Sequence, residues 1–365
     1  MTIDWSAVRH DPSIDTLVHD TTETTLGRII AQDGPLLEVI SAAGCAYSRP
    51  SGRLAHMIEL GSSPVPAVGD YVLVEPVENG RIRTVLPRRT VYERKEAGVR
   101  AAAQVICANV DVALIVTTAP PAAVRDESDR ASLHDFSVRR VERFIATLDP
   151  AVRPVVVVNK CDLIRDRDLV QRSIEAELPG TTVRMLSALS GEGVDAVRDL
   201  VGPGRTAVLV GSSGSGKSTL IRRLTDADVR TGSIREADGR GRHTTTGRRI
   251  FALPGGGLLV DTPGMREVQL WSADGSGEGV ATAFPEIEEL LGSCRFSDCR
   301  HQGEPGCAVQ EAVQEGRVTH ERYLSYLELQ SEQDSTADRR EKRERLNARR
   351  SARKSRMQRR SRAHE

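Results

Sequence analysis

No run of eighteen or more apolar residues occurs in this 365-residue chain, so nothing in it reads as a membrane-spanning helix. The first ten residues lack the basic and apolar blocks of a secretory leader, and a cytoplasmic protein is expected. Net charge is also missing, since 51 Lys and Arg balance 51 Asp and Glu. Aromatic residues make up only 3% of the chain. Any nucleic-acid contact is therefore expected to use backbone phosphates and shape more than base stacking. Cysteine is scarce too. Of the six, three lie close together around a histidine and three are scattered, a pattern that favours metal binding over a disulfide framework.

What is present is enough for two or three domains with a sizeable core, at 39% hydrophobic residues. The charge balance conceals an asymmetry. From Arg339 to the end there are 13 Lys and Arg against 3 Asp and Glu, so the rest of the chain is acidic. Such a tail suits a nucleic-acid partner, and equally a solvated extension with no specific role.

Residues 1–23 are polar without a clear period, and a flexible N-terminus is expected there. Residues 24–95 read as short strands broken by turns: Gly27 to Ala31, Leu36 to Ile40, Tyr71 to Val77 and Arg81 to Leu86. Asn79-Gly80 predicts a tight type I′ hairpin between the last two. A small antiparallel barrel of the OB type fits, with Tyr47 and Tyr71 as its few aromatics. Residues 101–270 alternate near-continuous apolar strands with amphipathic helices, the pattern of a parallel sheet covered on both faces. Pro120 to Asp135 reads as a charged surface loop. Residues 280–335 form a Cys/His segment followed by a helix from Glu321 to Gln330, and residues 336–365 are the basic tail.

Two motifs stand in an unusual order. Gly211-Ser212-Ser213-Gly214-Ser215-Gly216-Lys217-Ser218 fits the phosphate-cradling P-loop and sits between a predicted strand and a predicted helix, with Thr219 following in that helix. Its glycines let backbone N–H groups face phosphate, Lys217 would neutralise the β- and γ-phosphates, and the Ser218 hydroxyl would face Mg²⁺. About fifty residues earlier, Asn159-Lys160-Cys161-Asp162 ends an apolar strand as an N-K-x-D motif. The Asp162 carboxylate can accept from guanine N1–H and N2–H₂ together, a donor pair adenine lacks. Asn159 can brace the loop, and the Lys160 stem can lie on the purine face. Ser187-Ala188-Leu189 is similar to the S-A-x loop whose backbone meets guanine O6. In an ordinary GTPase the P-loop comes first, so this order predicts a circularly permuted G domain.

Asp261-Thr262-Pro263-Gly264 fits D-x-x-G, with Asp261 as the magnesium carboxylate and the Gly264 N–H as a γ-phosphate sensor. The Gly239-to-Thr246 stretch, G-R-G-R-H-T-T-T, has the glycines and hydroxyls of a switch loop, one of whose threonines is expected to bind magnesium; Thr245 is the candidate, and the sequence does not decide among the three. The next residue after D-x-x-G is Met265, where many GTPases place the glutamine that orients water. A thioether cannot do this, so slow basal turnover is expected, completed from elsewhere. His243 is the candidate for orienting water; a phosphate contact, an RNA contact or a role in loop structure stays open for it.

Cys294, Cys299, His301 and Cys307 supply three thiols and an imidazole within fourteen residues. That is a closed tetrahedral set for a structural Zn²⁺, with free cysteines in a reducing compartment as the alternative.

Taken together, the barrel, the motif order, the G-R-G-R-H-T-T-T and D-T-P-G-M-R-E stretches and the Cys/His knot resemble the ribosome small-subunit-dependent GTPase A family (RsgA, YjeQ) across about residues 24–330. A monomer is expected, and the resemblance implies a multidomain GTP hydrolase. It implies binding to 16S rRNA on the 30S subunit late in maturation, stimulation by that subunit, and release governed by GTP state. Met265 stands where that family more often has phenylalanine. The Pro120 to Asp135 insert and the tail depart from the compact pattern. Because the D-x-x-G loop runs straight into the zinc segment, γ-phosphate loss is expected to act on that segment directly. The other readings of the same residues are a nucleotide-gated nucleic-acid-binding module that does not hydrolyse, and an unrelated ATPase, which Asp162 disfavours.

Overall fold

The computed structural model describes residues 3–8, 14, 23–77, 79–95, 103–133, 136–212, 214–226, 247–262 and 278–334. Strands β1 (Thr25–Asp33), β2 (Leu36–Ser41), β3 (Gly44–Pro50), β4 (Tyr71–Val74) and β5 (Arg81–Val85) run in the order β1-β2-β3-β5-β4. Pairing of β4 back to β1 closes them into a barrel. Closure removes exposed strand edges and places alternate side chains inside. Ile29, Val39, Val72 and Ile82 fill that interior and are no more than 2% exposed. Helix α1 (Gly52–Glu59) connects β3 to β4, and its first turn is satisfied by the Ser51 hydroxyl, which accepts from the Leu54 N–H at 3.2 Å.

Two expectations are corrected here. The Asn79-Gly80 pair does not form a two-residue turn, because β4 ends at Val74 and β5 begins at Arg81. Within this longer connection Asn79 is left-handed (φ 56°) and Gly80 is not, whereas a type I′ turn needs both. The N-terminus is not unanchored in its described part either. Residues Trp5–Val8 form a helical turn whose Val8 is fully buried, and the Val8 carbonyl accepts from Tyr71 Oη at 3.1 Å and from Arg28 at 3.2 Å.

Strands β6 (Val91–Lys95) and β7 (Ala103–Ala108) pair with each other as a separate two-stranded sheet. Beyond them, β8 (Val112–Thr118), β9 (Arg153–Asn159), β10 (Thr182–Met185), β11 (Thr206–Gly211), β12 (Arg248–Ala252) and β13 (Leu258–Asp261) lie in the order β10-β9-β8-β11-β13-β12. All are parallel except β12. Every residue of β8 and of β11 is buried, which is why these segments read as unbroken apolar runs. Helices α2 (Val138–Ala146), α3 (Arg167–Glu177), α4 (Val194–Val201) and α5 (Lys217–Thr225) follow strands as the helical spacing predicts. Parallel strands present their carboxyl ends on one edge, so the residues leaving β9, β11 and β13 share that edge.

Barrel and parallel sheet belong to one compact unit, residues 1–92 with 105–268. Strand β12 pairs antiparallel with β1 (Ala31 with Arg249, Gln32 with Arg248), which makes a single eleven-stranded sheet. Arg28, only 2% exposed, secures this joint. Its guanidinium donates to Gly69 O (3.2 Å), Asn109 O (3.4 Å) and Thr206 Oγ1 (2.9 Å) and lies 4.9 Å from the centre of the Tyr71 ring. A buried guanidinium is tolerated because its donors are taken up in this way.

The second unit comprises residues 93–104 and 269–365. Its described helices are α6 (Glu278–Ala283), α7 (Pro285–Glu288), α8 (Ala308–Gln314) and residues 320–334, the last containing the helix expected from Glu321 to Gln330. Its core is small. Phe284 is fully buried, meets Tyr326 edge to face at 5.6 Å, and carries the Arg322 guanidinium 4.8 Å above its ring, while Arg322 pairs with Glu286.

Candidate nucleotide site and metal centre

The loop from Gly211 into α5 turns tightly because glycine occupies its constrained points. Gly211 has φ +140°, and a Cβ there would lie 2.2 Å from Val116 O; Gly216 has φ +90°, and its Cβ would lie 2.3 Å from Asn159 Nδ2. Lys217 Nζ donates to Gly211 O at 2.7 Å and to Ser212 O, so its charge lies within the loop. Ser218 and Thr219 are exposed at the start of α5, where the helix dipole favours an anion. Ser215 is buried and its hydroxyl donates to Ser212 O at 3.0 Å, which fixes the loop from inside. Gly214 is described and exposed; Ser213 lies outside the described residues.

Asn159 joins three loops. At the end of β9, only 2% exposed, its Nδ2 donates to Ser215 O at 2.8 Å, while its Oδ1 accepts from Lys160 N (2.8 Å) and Ala188 N (2.9 Å). The N-K-x-D loop, the Ser187-Ala188 loop and the phosphate loop are thus tied through one amide. Removing it leaves a buried carbonyl and a buried N–H without partners, each worth about 1–3 kcal/mol. Asn159→Ala is expected to lower the urea-unfolding free energy by about 2–4 kcal/mol; an unmoved midpoint would remove this bracing role.

Lys160 is left-handed (φ 63°) and its Nζ donates to Gly214 O (2.8 Å) and Ser132 O (2.9 Å). Cys161 is buried, its N–H donates to Leu186 O at 3.0 Å, and burial pushes its thiol up to about 11, so it stays a neutral packing group. Asp162 is different. Its Oδ1 is buried and takes no hydrogen bond from the described residues, so its acceptor capacity remains for an external donor. Ser187 is fully buried and its hydroxyl accepts from Ser190 N at 3.1 Å.

The sequence alone did not reveal two supports. Arg223 on α5 donates to Ala188 O (3.1 Å) and Leu189 O (2.7 Å), tying the phosphate helix to the base-side loop. Arg140 on α2 reaches Ser212 Oγ at 3.3 Å. Both are exposed or half-buried arginines at helical positions, which look like ordinary surface charges until the loops are placed.

Asp261 ends β13, with Thr262 anchored beside it through Oγ1 to Leu209 O at 2.9 Å. Burial raises the Asp261 carboxyl above its ordinary value, and the Lys217 charge opposes that shift. Asp261 and Ser218 are the described residues that would hold Mg²⁺. His243, Thr245, Gly264 and Met265 lie outside the described residues.

In the second unit, Cys294, Cys299, His301 and Cys307 come together. Their sulfurs lie 3.5, 3.6 and 3.5 Å from His301 Nδ1, and Cys294 Sγ is 4.0 Å from Cys307 Sγ. A tetrahedron with metal–sulfur bonds of about 2.3 Å and a metal–nitrogen bond of about 2.0 Å has sulfur–nitrogen edges of about 3.5 Å. The four atoms match those edges and can hold a metal ion. His301 is left-handed (φ 63°), and its carbonyl accepts from Tyr323 Oη (2.6 Å) and Gln310 Nε2 (3.0 Å), which holds the imidazole's backbone in place.

Comparison with known proteins gives a consistent result. Residues 85–271 match the family described as RsgA GTPase. The chain is 43% identical over 318 residues to the small ribosomal subunit biogenesis GTPase RsgA of Opitutus terrae, covering 82% of this chain and 81% of that protein. Among solved structures it is similar to YjeQ from Thermotoga maritima, at 26% identity and TM-score 0.58 over 84% of this chain and 97% of that one. It is similar also to YloQ, described as a circularly permuted GTPase, at 25% identity and TM-score 0.57 over 88% of this chain and 98% of that one. With the base-reading strand β9 preceding the phosphate-loop strand β11 in a sheet shared with these relatives, the chain belongs to the RsgA GTPase family of GTP-hydrolysing enzymes.

Proposed function

We propose that this protein is a small ribosomal subunit biogenesis GTPase whose nucleotide state controls its hold on the subunit. The observation that carries the reading is the buried, unpaired Oδ1 of Asp162 set beside Asn159, which ties the base loops to the phosphate loop. In this reading Asn159 to Asp162, Ser187 and Ala188 receive guanine, and Gly211 to Thr219 receive the phosphates. Lys217 moves from its loop carbonyls onto the β- and γ-phosphates. Bound Mg²⁺, held by Ser218, Asp261 and Thr245, would neutralise charge on the phosphate oxygens. The metal in the Cys/His knot is zinc, since three thiolates and an imidazole suit it and leave no open position.

The five-stranded barrel is read as an OB-type RNA-binding domain, with the zinc segment and the basic tail as further contacts to 16S rRNA. Met265 supplies no proton acceptor for the attacking water, so His243 or a group on the subunit must orient it. Slow turnover alone and fast turnover on the subunit follow. Measured phosphate release from GTP should rise by about two orders of magnitude or more when purified 30S particles are added. Equal rates with and without particles would end the coupling, and the hydrolase would then act independently of the subunit.

A further inference from the structure

The segment between β8 and α2 is fastened along the guanine-reading loop, and we infer that it is a positioning element for Lys160 that sets how long guanine nucleotide is held. Val124 bridges antiparallel to Ile164, two residues past Asp162. Arg125 N donates to Leu163 O at 2.8 Å and Arg165 N to Ala123 O at 3.1 Å, while the Arg125 guanidinium donates to Ile164 O at 3.3 Å. The segment expected to be a surface loop is mostly exposed and contains two 3-10 stretches, but at Ala123–Arg125 it is hydrogen-bonded to Leu163–Arg165 just beyond the N-K-x-D residues. Leu133, the fully buried last residue of the 3-10 stretch Glu127–Leu133, anchors its far end.

That anchor places the Ser132 carbonyl 2.9 Å from Lys160 Nζ, opposite the Gly214 carbonyl at 2.8 Å. The ammonium is held between the inserted segment and the phosphate loop, and its four-carbon stem is drawn out between them. Lysine is a flexible chain carrying a point charge, so fixing both the backbone and the ammonium beforehand reduces the ordering lost when a purine settles against the stem. A shorter connection from β8 to α2 would leave only the Gly214 contact. The inserted segment thus belongs to the binding site through a backbone carbonyl, which no residue motif encodes.

The inference rests on the guanine-site reading above. The test uses the full-length chain and a fluorescent GDP analogue, with the matching ADP analogue as control. Replacing residues 121–133 by a Gly-Ser linker is expected to speed GDP-analogue release about tenfold, the scale of one charge-assisted hydrogen bond. In a Lys160→Met background the same replacement should change release by less than about twofold, because both changes act through one ammonium. Arg125→Ala, which removes one fastening bond and keeps the chain length, should speed release in the same direction to a smaller extent and serves if the linker variant does not fold. Unchanged release in the folded variants, or a full additional effect on Lys160→Met, overturns the positioning role. A wild-type chain that fails to prefer the GDP analogue over the ADP analogue would instead overturn the guanine-site reading itself.

Discussion

Asp162→Asn should reverse base preference, weakening GTP by about a thousandfold while improving xanthosine triphosphate. In the proposed site the carboxylate would accept from two donors of guanine, N1–H and N2–H₂, and hydrogen bonds to a charged group contribute about 1.5–3 kcal/mol each. The asparagine carbonyl can still accept from N1–H, but the charge and the bond from N2–H₂ are lost and an amide donor now meets the N2 amine, a combined loss in that range. Xanthine carries a carbonyl at C2 where guanine carries an amine, so the asparagine amide nitrogen can donate to it. Because Oδ1 of Asp162 has no partner among the described residues, the substitution breaks no described hydrogen bond of that atom, and folding should be close to wild type. Calorimetric titration with both triphosphates reads the outcome. Undiminished preference for GTP in the variant would show that another group reads the base.

Withdrawal of the metal should have the second large effect, confined to the second unit. Cys307, 3% exposed, precedes α8 directly, and the His301 carbonyl gathers Gln310 and Tyr323 onto the same knot. One ion held there would therefore fix the start of α8, the loop before it and the helix of residues 320–334. The apolar core there is limited to side chains such as Phe284, Ile287, Val309, Tyr326 and Leu329, and structural zinc supplies roughly 10 kcal/mol or more in small domains of this kind. Chelation, or Cys307→Ser, is expected to release about one metal ion per chain, zinc in the proposed reading. Trypsin should then cut within residues 294–334 while leaving the barrel and parallel sheet intact. A chain that keeps its protease resistance and helix signal without metal would show that the knot is not structural.

Legibility in the sequence followed burial. Strands β8, β9 and β11 were evident because both faces are covered, so valine and leucine run without interruption. Strand β3 carries no apolar pattern since only Ser48 of its seven residues is buried, and β12 begins with two arginines, Arg248 half-buried and Arg249 exposed, which break any apolar alternation. The barrel could be anticipated from turn spacing, but its closure through β4 against β1, and the pairing of β12 with β1, are contacts between distant segments that no local pattern carries. At the nucleotide site the sequence identified the residue types through their motifs. It did not show that Asn159 spends its amide on Ser215, 56 residues away, or that Lys160 is held by a carbonyl of the inserted segment. Backbone acceptors leave no trace in side-chain spacing. The Asn79-Gly80 reading failed for a related reason: the dipeptide allows a type I′ turn, but the strands flanking it end too early to use one.

Seven residues, 262–268, separate Asp261 from the start of the second unit, and β12 pairs with β1 of the barrel. In the proposed function, the two parts read as contacting RNA are thus joined, by chain continuity or by hydrogen bonds, to segments that flank the proposed triphosphate site. The most direct test is sedimentation of the purified protein with 30S particles in the presence of a non-hydrolysable GTP analogue or of GDP. Retention on the particles with the analogue and release with GDP is the predicted result; equal retention with both nucleotides would contradict control of binding by the nucleotide state.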